Sequence, residues 1–452
     1  MNNNNVTQQS KFGNWLKSSK TAKMVSVGVL ILILLIPLSY IKELINERAD
    51  RQKAVTREIN TKWGEDVCVY GPILKVPYKT YNTITMVDDK LNTTTKETKT
   101  IIKYAYIFPE ELDAKVNVKS KTLKRGNYQS AVYTSTTNFS GMFPEINLAN
   151  KDISTNDIVW DKITAVIKTT NLKGIKNEVT LNLNSKTYPF QTNYSENKNK
   201  GHLDALESDF LNISNQKTLH FNVQITFNGS EQITIVPIGK TTTMSMVSNW
   251  ANPSFIGNYL PDDNNKTITA EGFNVNWKVL HINRAFSQVY LNTVPNLNAY
   301  AFGTKFMIMV DEYQKSERSA KYGFLVIALT FLVFFLIQTL SKINIHPFQY
   351  LMIGLALTMF YTLLISISEH SNFLTAYSIA TLSVVILISW YSKSILKTIK
   401  FTSFISIALS ALYIFIFVII QLENYALLVG SIGLFFILTS VMFISRKIDW
   451  NN

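Results

Sequence analysis

The sequence predicts a membrane protein in which an α-helical transmembrane bundle of six spans is joined to a large extracytoplasmic, mainly β domain. The first observation is the segment from Tyr322 to His370, where two apolar runs of about 20 residues flank a short loop that contains a proline. Neither run has a full charge at its centre, and such a run can satisfy its backbone amides in hydrocarbon only as a helix. The pair is therefore predicted to be a transmembrane helical hairpin.

A change in composition along the chain is the second observation. The 452 residues are 47% apolar, but the apolar residues are unevenly distributed. Asn, Thr, Lys and Ser dominate between about residues 42 and 320, whereas Leu, Ile, Phe and Ser dominate from Tyr322 onward. This pattern is typical of a large polar domain, here residues 42–320, joined to a membrane block.

The first span is predicted at residues 24–41, after a basic tail of residues 1–23 that contains lysines and no acidic residue. The run MVSVGVLILILLIPLSYI is nearly long enough to cross a bilayer, and no small-x-small cleavage pattern follows it. An uncleaved signal anchor is therefore favoured over a cleaved signal peptide. The charges of KELINERADRQ alternate in sign, which predicts that the helix continues to about Thr61.

From Trp63 the sequence alternates apolar and polar residues, as half-buried strands do. WGEDVCVYGPILKVPYKTY is interpreted as two short strands broken at Gly71-Pro72. LHFNVQITFNGSEQITIVPI is interpreted as a β-hairpin with a tight turn at Asn228-Gly229. Further alternating runs predict either a sandwich or several small sheets. These runs are IIKYAYIFP, EVTLNLN, TTTMSMVSNW and TKFMIMV.

Three further apolar runs, residues 373–391, 401–420 and 425–444, extend a five-span bundle over residues 322–444 and bring the number of spans to six. Their connections differ in charge: SKINIHP, SKSILKTIK and the tail at residues 445–452 contain Lys or Arg, whereas SEHSN and QLEN contain neither. Because basic loops stay in the cytoplasm, both termini are predicted to be cytoplasmic and the polar domain to lie outside.

The sequence lacks the motifs of common enzymes, since GxSxG, HExxH and GxxxxGK[ST] are all absent. A single cysteine, Cys68, excludes an intrachain disulfide framework and a cysteine-based metal cluster, and it is predicted to be buried in a strand. The net charge of +13 comes from scattered lysines and not from a basic stripe, so nucleic acid is not an expected partner. We expect neither a catalytic activity nor a cofactor; the competing class is an enzyme that acts on cell-wall or lipid material.

Glu369-His370 is the candidate functional pair, because a carboxylate and an imidazole at the outer end of a span can trap a proton or an ion. The alternative is that both residues only mark the water interface. His346-Pro347 is interpreted as the structural start of the following helix. The span interiors contain Gln338 and many hydroxyl groups but no charged residue, so we expect helix packing there and keep transport of a small solute as the alternative function.

Several segments resemble the CreD family of bacterial inner-membrane proteins, in order and spacing and nearly from end to end. They are IPLSYIKELINERADRQ, VYGPILKVPY, SNWANPSFIGNYLP with GFNVNW, RSAKYGFLVIALTFLVFFLIQTL, HPFQYLMIGLALTMFYTLLISISEH and SRKIDW. The resemblance implies a multi-pass protein of the inner membrane with a periplasmic domain, linked to cell-envelope integrity, to a two-component regulon and to altered tolerance of nuclease-type colicins. It implies no catalytic residue. Where relatives have a charged turn, this chain has TNLKGI, which weakens a functional role for an acid there.

The expected function is therefore a contribution to the envelope stress response through binding or sensing by the periplasmic domain. The expected partners are the lipid bilayer and either envelope proteins or cell-wall components.

Overall fold

Among the described residues, six helices are long and apolar enough to cross a membrane, as predicted. The computed structural model describes residues 20–88, 93–126, 128–193, 204–213, 218–308, 312–341, 343–422, 425–446 and 448, so most of the two predicted tails, residues 1–23 and 445–452, lies outside the described residues. Contacts divide the chain into two compact units, one formed by residues 1–53 and 310–452 and the other by residues 54–309. The predicted limits at residues 42 and 320 refer to the membrane surface and stay a prediction.

The helical unit begins with one long helix that continues past the apolar run, as the alternating charges predicted. The helices are α1 (Lys20–Trp63), α2 (Glu312–Lys321), α3 (Gly323–Ser341), α4 (Pro347–Ser368), α5 (Phe373–Leu396), α6 (Ile399–Gln421) and α7 (Ala426–Ser445). Pro347 occupies the first turn of α4, where its missing N–H costs nothing. His346 caps this helix, because its Nδ1 accepts the N–H of Phe348 at 3.2 Å and its own N–H is accepted by Gln349 Oε1 at 2.9 Å. The structural interpretation of His346-Pro347 is confirmed.

Helix α1 packs along α4 and runs in the same direction. Near its start, Lys23 Nζ donates a hydrogen bond of 2.7 Å to Asn344 Oδ1, just before α4. Farther along, the side chain of Leu34 fills the space at Gly354, where an added Cβ would lie 2.0 Å from Leu34 Cδ1. Leu38 likewise packs on Gly323 at the start of α3. The first and second spans therefore lie side by side.

The other unit is mainly β, as predicted. Its strands are β1 (Val67–Asp88), β2 (Thr93–Ile107), β3 (Glu111–Arg125), β4 (Tyr128–Phe143), β5 (Thr164–Thr169), β6 (Thr180–Leu183), β7 (Lys186–Asn193), β8 (Asp204–Ser208), β9 (Leu219–Ser230), β10 (Gln232–Ile235), β11 (Thr241–Ser248), β12 (Pro253–Gly257), β13 (Thr267–Thr269), β14 (Gly272–Leu280), β15 (Val289–Leu291) and β16 (Phe302–Phe306). They form one sheet in the order β12-β16-β10-β1-β5-β8-β7-β6-β9-β4-β3-β11-β14-β13, with β2 on β1 and β15 on β2.

The sheet folds back on itself around a single hydrophobic core. Its two ends meet through aromatic side chains: Trp277 of β14 lies 5.7 Å, between ring centroids, from both Phe255 of β12 and Phe302 of β16. The alternative of several small sheets is therefore wrong. Cys68 is buried in β1, as predicted.

The predicted strand break at Gly71-Pro72 is wrong. Strand β1 runs for 22 residues through this dipeptide. The register with β5 shifts between Tyr70 and Ile73, so the missing N–H of the proline is accommodated by a bulge, after which pairing resumes at Ile73 opposite Val166.

The predicted hairpin at Asn228-Gly229 is also wrong. Strand β9 continues through both residues and pairs with β4 as far as Ser230, opposite Val132. Strand β10 pairs instead with β1 and β16, and the chain turns at Glu231, which has φ 58°. Gly229 is needed because the side chain of Tyr133 on the neighbouring strand approaches it closely, and not because the chain turns there. A Cβ at this position would lie 2.3 Å from the Tyr133 hydroxyl.

Candidate functional site

Glu369 lies at the C-terminal end of α4, where its carboxylate meets a cation from another helix. A negative charge at a helix C-terminus is unfavourable, because the helix dipole places partial negative charge there. Arg48 of α1 offsets this charge: its Nε lies 3.5 Å from Glu369 Oε1, and the two side chains are 33% and 22% exposed. The half-buried ion pair joins α1 to α4.

His370 takes no part in this ion pair. Its backbone N–H bonds to the carbonyl of Ile367 at 3.0 Å, and its side chain is exposed. Within the described ranges, we find no side-chain partner for its imidazole. The structure therefore brings Glu369 to Arg48, which sequence analysis did not single out, although the alternating charges of KELINERADRQ placed it on a helix.

The position of the ion pair along the helices bears on its role. Lys23 and Arg48 bracket a stretch of α1 that is about 37 Å long at a rise of about 1.5 Å per residue, whereas the hydrocarbon core of a bilayer is about 30 Å thick. The Lys23–Asn344 and Arg48–Glu369 contacts therefore lie at opposite ends of a helix pair that is longer than the hydrocarbon core is thick. This placement favours the interface interpretation of Glu369.

Polar groups inside the spans join helices to one another. Gln338 accepts a hydrogen bond of 2.8 Å from the buried hydroxyl of Tyr350, and the hydroxyls of Ser389 and Ser406 lie 2.6 Å apart across α5 and α6. Tyr377 donates to the carbonyl of Tyr413 at 2.8 Å. These contacts match the expectation that hydroxyls in the spans serve helix packing.

Arg284 is the most enclosed cation found in the β-rich unit. Its guanidinium donates to the carbonyls of Ile238 at 3.2 Å, Gly239 at 3.0 Å and Phe286 at 3.2 Å, and also to Gln288 Oε1. Burial lowers the pKa of Arg284 to about 10. Nearby His281, which the sequence placed beside it, is exposed. The arrangement crosslinks backbone segments through the two terminal nitrogens, whereas Nε is buried and has no partner among the described residues.

Asp66 is a carboxyl group of this unit whose pKa is raised. Partial burial, reinforced by the Glu231 carboxylate and opposed by Lys305, raises the pKa of Asp66 to about 6. Glu231 itself accepts a hydrogen bond of 2.6 Å from the amide of Asn60. Sequence analysis missed this group, because it is assembled from residues far apart in the chain. Among the described residues, no cluster of His, Cys, Asp and Glu has the composition of a metal site.

Comparison with known proteins places this geometry in context. A family model described as "Inner membrane protein CreD" matches residues 19–451 of this chain. The chain is 29% identical over 443 residues to the Inner membrane protein CreD of Escherichia coli (strain K12), and the alignment covers 96% of this chain and 94% of that protein. Among solved structures, it is similar to a candidate nutrient binding protein of Legionella pneumophila, with a TM-score of 0.23 and 11% identity over 50% of this chain and 77% of the other.

Proposed function

The chain belongs to the CreD family of inner membrane proteins, and from this premise we propose that its β-rich unit lies outside the cytoplasmic membrane and contributes to envelope integrity by binding an envelope protein. In this proposal the unit catalyses no reaction. The observation that carries the proposal is a two-stranded extension of the sheet, formed by residues 79–88 of β1 and 93–103 of β2, which we call the hairpin arm.

The hairpin arm extends beyond the strands that flank its base. Strand β5 pairs with β1 only up to Lys75, and β15 pairs with β2 only from Ala105 onward. In the described part of the unit, the backbones of the arm pair as strands only with each other. Both outer edges of the arm therefore offer free N–H and C=O groups to a further strand.

Exposed apolar side chains lie on this open hairpin. Tyr81 is 58% exposed, Ile101 39% and Ile102 47%. A two-stranded hairpin is marginally stable by itself and gains hydrogen bonds and apolar contacts when an extended peptide adds to its edge. Exposed Lys79 and Lys103 favour a segment with acidic residues.

The burial and protonation of the side chains in this unit that could take part in catalysis favour binding over catalysis. Cys68 is buried, and this burial raises the pKa of its thiol, which disfavours the nucleophilic thiolate. The two terminal nitrogens of Arg284 are engaged by backbone carbonyls, and its Nε is buried. Burial raises the pKa of Asp66, but a single carboxyl group does not make a catalytic constellation.

Removal of the arm tests this function. Joining Tyr78 to Lys103, the residue opposite it, through an Asn-Gly turn should leave the unit folded, because the described side chains of the arm lie outside the core. We expect the variant to reach the membrane and resist protease, yet fail to restore envelope-stress survival in a deletion strain. Ile102→Thr should weaken survival, whereas Val247→Thr, which alters a similarly exposed residue on β11 (45% against 47%), should not. Full complementation by the armless protein would refute the binding role.

Membrane orientation is the second part of the proposal. The contact between Lys23, near the start of α1, and Asn344, in the α3–α4 connection, supports an arrangement in which both segments lie on the side of the basic loops. Reporter fusions after Ile345 and after Asn372 are expected to read cytoplasmic and external, respectively. The reverse pattern would end the proposed orientation.

Within this proposal, Glu369 serves at the outer interface as the partner of Arg48, and His370 faces water beside it. The role of the Arg48–Glu369 pair is to hold α1 against α4 and not to trap a proton.

A further inference from the structure

The two edges of the hairpin arm are not equally accessible. At the base of the β1 edge, the N–H of Val159 donates to the carbonyl of Pro77 at 2.9 Å. The hydroxyl of Tyr81, farther along β1, donates to Asp157 Oδ1 at 2.9 Å. The segment that contains Asp157 and Val159 therefore lies beside the β1 edge where the arm begins.

The β2 edge is open beyond the last contact with β15. There Asn292 donates its N–H to the carbonyl of Tyr104 at 2.7 Å, and the chain leaves the edge with φ 68° at Asn292. Alternate residues of an antiparallel strand direct their backbone groups to the same edge, so those of Ile102, Thr100 and Thr98 point to the side of β15. In the described part of the unit, β1 on the opposite side is the strand that pairs with these three residues. Their N–H and C=O groups on the open edge can therefore receive a further strand.

The side chains along the open edge divide between two faces, because successive residues of a strand alternate. One face presents Ile102 and Tyr104, which are 47% and 39% exposed, and we call it the apolar face. Tyr81 of β1 lies on the same face, since it is opposite Thr100 in the register. The other face presents the exposed Lys99 and Lys103, and we call it the basic face.

Three exposed residues depart from this division. Lys79 lies on the apolar face, but it belongs to β1 and is one strand farther from the open edge. Ile101 lies on the basic face between the two lysines, and Glu97 lies on that face toward the tip of the arm. Next to the open edge, an aromatic and an aliphatic side chain on one face therefore alternate with cations on the other.

We infer that the β2 edge of the hairpin arm binds an extended segment of its partner protein in which apolar and acidic residues alternate, as one further strand of the sheet. This inference rests on the proposed function and names the edge and the kind of segment. Side chains opposite each other on neighbouring strands lie about 4.5–5.5 Å apart. The apolar residues of the segment pack on Ile102 and Tyr104, and its carboxylates face Lys99 and Lys103. Backbone hydrogen bonds supply affinity, and the two faces select the sequence.

Peptide binding to the purified full-length protein tests the inference. The probes are fluorescent peptides of about six residues, the length that spans residues 98–103 of β2. Valine alternates with glutamate in the first peptide and with lysine in the second, and the third has the composition of the first with its valines and glutamates in separate blocks. Fluorescence anisotropy should show that the first peptide binds about tenfold more tightly than either of the others. Equal affinities for the three peptides, or no binding of the first, would overturn the inference.

Two variants identify the edge and the charge that the peptide contacts. Thr100→Pro removes an N–H on the open edge and keeps the hydrogen bonds to β1, so it should weaken binding of the first peptide about tenfold. Thr83→Pro makes the same change on the β1 edge and should bind the peptide as the wild-type protein does. Lys103→Glu changes an exposed side chain and should shift the preference toward the lysine peptide. Equal affinities of the two proline variants would overturn the assignment of the edge, as would an unchanged preference in Lys103→Glu.

Envelope-stress survival separates this inference from the proposed function. Thr100→Pro should restore survival as poorly as the armless protein, and Thr83→Pro should restore it fully. Full complementation by Thr100→Pro, together with failure of the armless protein, would overturn the β2 edge and leave the binding role of the arm in place. Self-association of the wild-type protein that Thr100→Pro abolishes would overturn the inference in favour of a second copy of this chain.

Discussion

Arg284→Met is expected to destabilise the β-rich unit by about 2–4 kcal/mol, because it leaves several buried acceptors without a donor. The guanidinium donates hydrogen bonds to four oxygens. They are the carbonyls of Ile238, Gly239 and Phe286 and the amide oxygen of Gln288. Part of the loss is recovered, since burial lowers the pKa of Arg284 and so disfavours its charged form. Methionine keeps an unbranched side chain as far as the Nε position but donates no hydrogen bond.

Thermal unfolding of the full-length protein, followed by the strand signal in circular dichroism, measures this loss. Arg125→Met is the matched control, since Arg125 pairs with Glu58 at the surface and is 53% exposed. Exposed ion pairs contribute little to stability, so the control should unfold at the wild-type temperature. Similar unfolding temperatures for both variants would contradict the role of Arg284 as a crosslink.

Gly229→Ala is expected to cost about 2–4 kcal/mol, the sum of overpacking and a strained hydrogen bond. The new methyl group would lie 2.3 Å from the hydroxyl of Tyr133. This ring cannot move freely, because its hydroxyl donates to the carbonyl of Gln232 at 2.6 Å and its face packs 5.1 Å from the ring of Phe306.

The glycine in a true turn provides the control. Gly126 connects β3 and β4 with φ +59°, and no atom lies within 4 Å of its added Cβ. Gly126→Ala should therefore cost only the strain of a left-handed residue, about 1 kcal/mol. The free-energy costs of Gly229→Ala and Tyr133→Leu should not add. The double variant should lose less stability than the sum of the two single variants, since the smaller side chain makes room for the methyl group. Equal costs for the two alanine variants, without coupling, would restore the turn interpretation of Asn228-Gly229.

This contrast shows where local sequence patterns stop being informative. Asn-Gly between two alternating runs predicts a hairpin from neighbouring residues only. Here the glycine is required by the side chain of Tyr133, which lies 96 positions earlier in the chain and packs against it. The prediction of a strand break at Gly71-Pro72 is also wrong because of a distant residue pairing. Strand β5 continues to pair with β1 on the far side of the bulge. Strand existence was predictable from alternation, whereas strand partners depend on distant residues.

The membrane spans were predictable because their cause is local. A run of about 20 apolar residues must form a helix in hydrocarbon whatever lies elsewhere in the chain. The candidate site was less predictable than the spans. The sequence shows Glu369 as an acid at a span end, but its partner Arg48 lies 321 positions away.

The two polar contacts that bracket α1 and α4 make this helix pair longer than the hydrocarbon that surrounds it. About 37 Å of helix exceeds a core of about 30 Å, so an upright pair carries at least one of the two contacts into a head-group layer, and a tilt near 37° would bring both contacts to the hydrocarbon faces. Because both contacts join the same two helices, the pair must respond to hydrophobic mismatch as one body. Thinning of the bilayer would increase its tilt and thickening would bring it upright, so membrane thickness sets the angle at which α1 leaves the hydrocarbon.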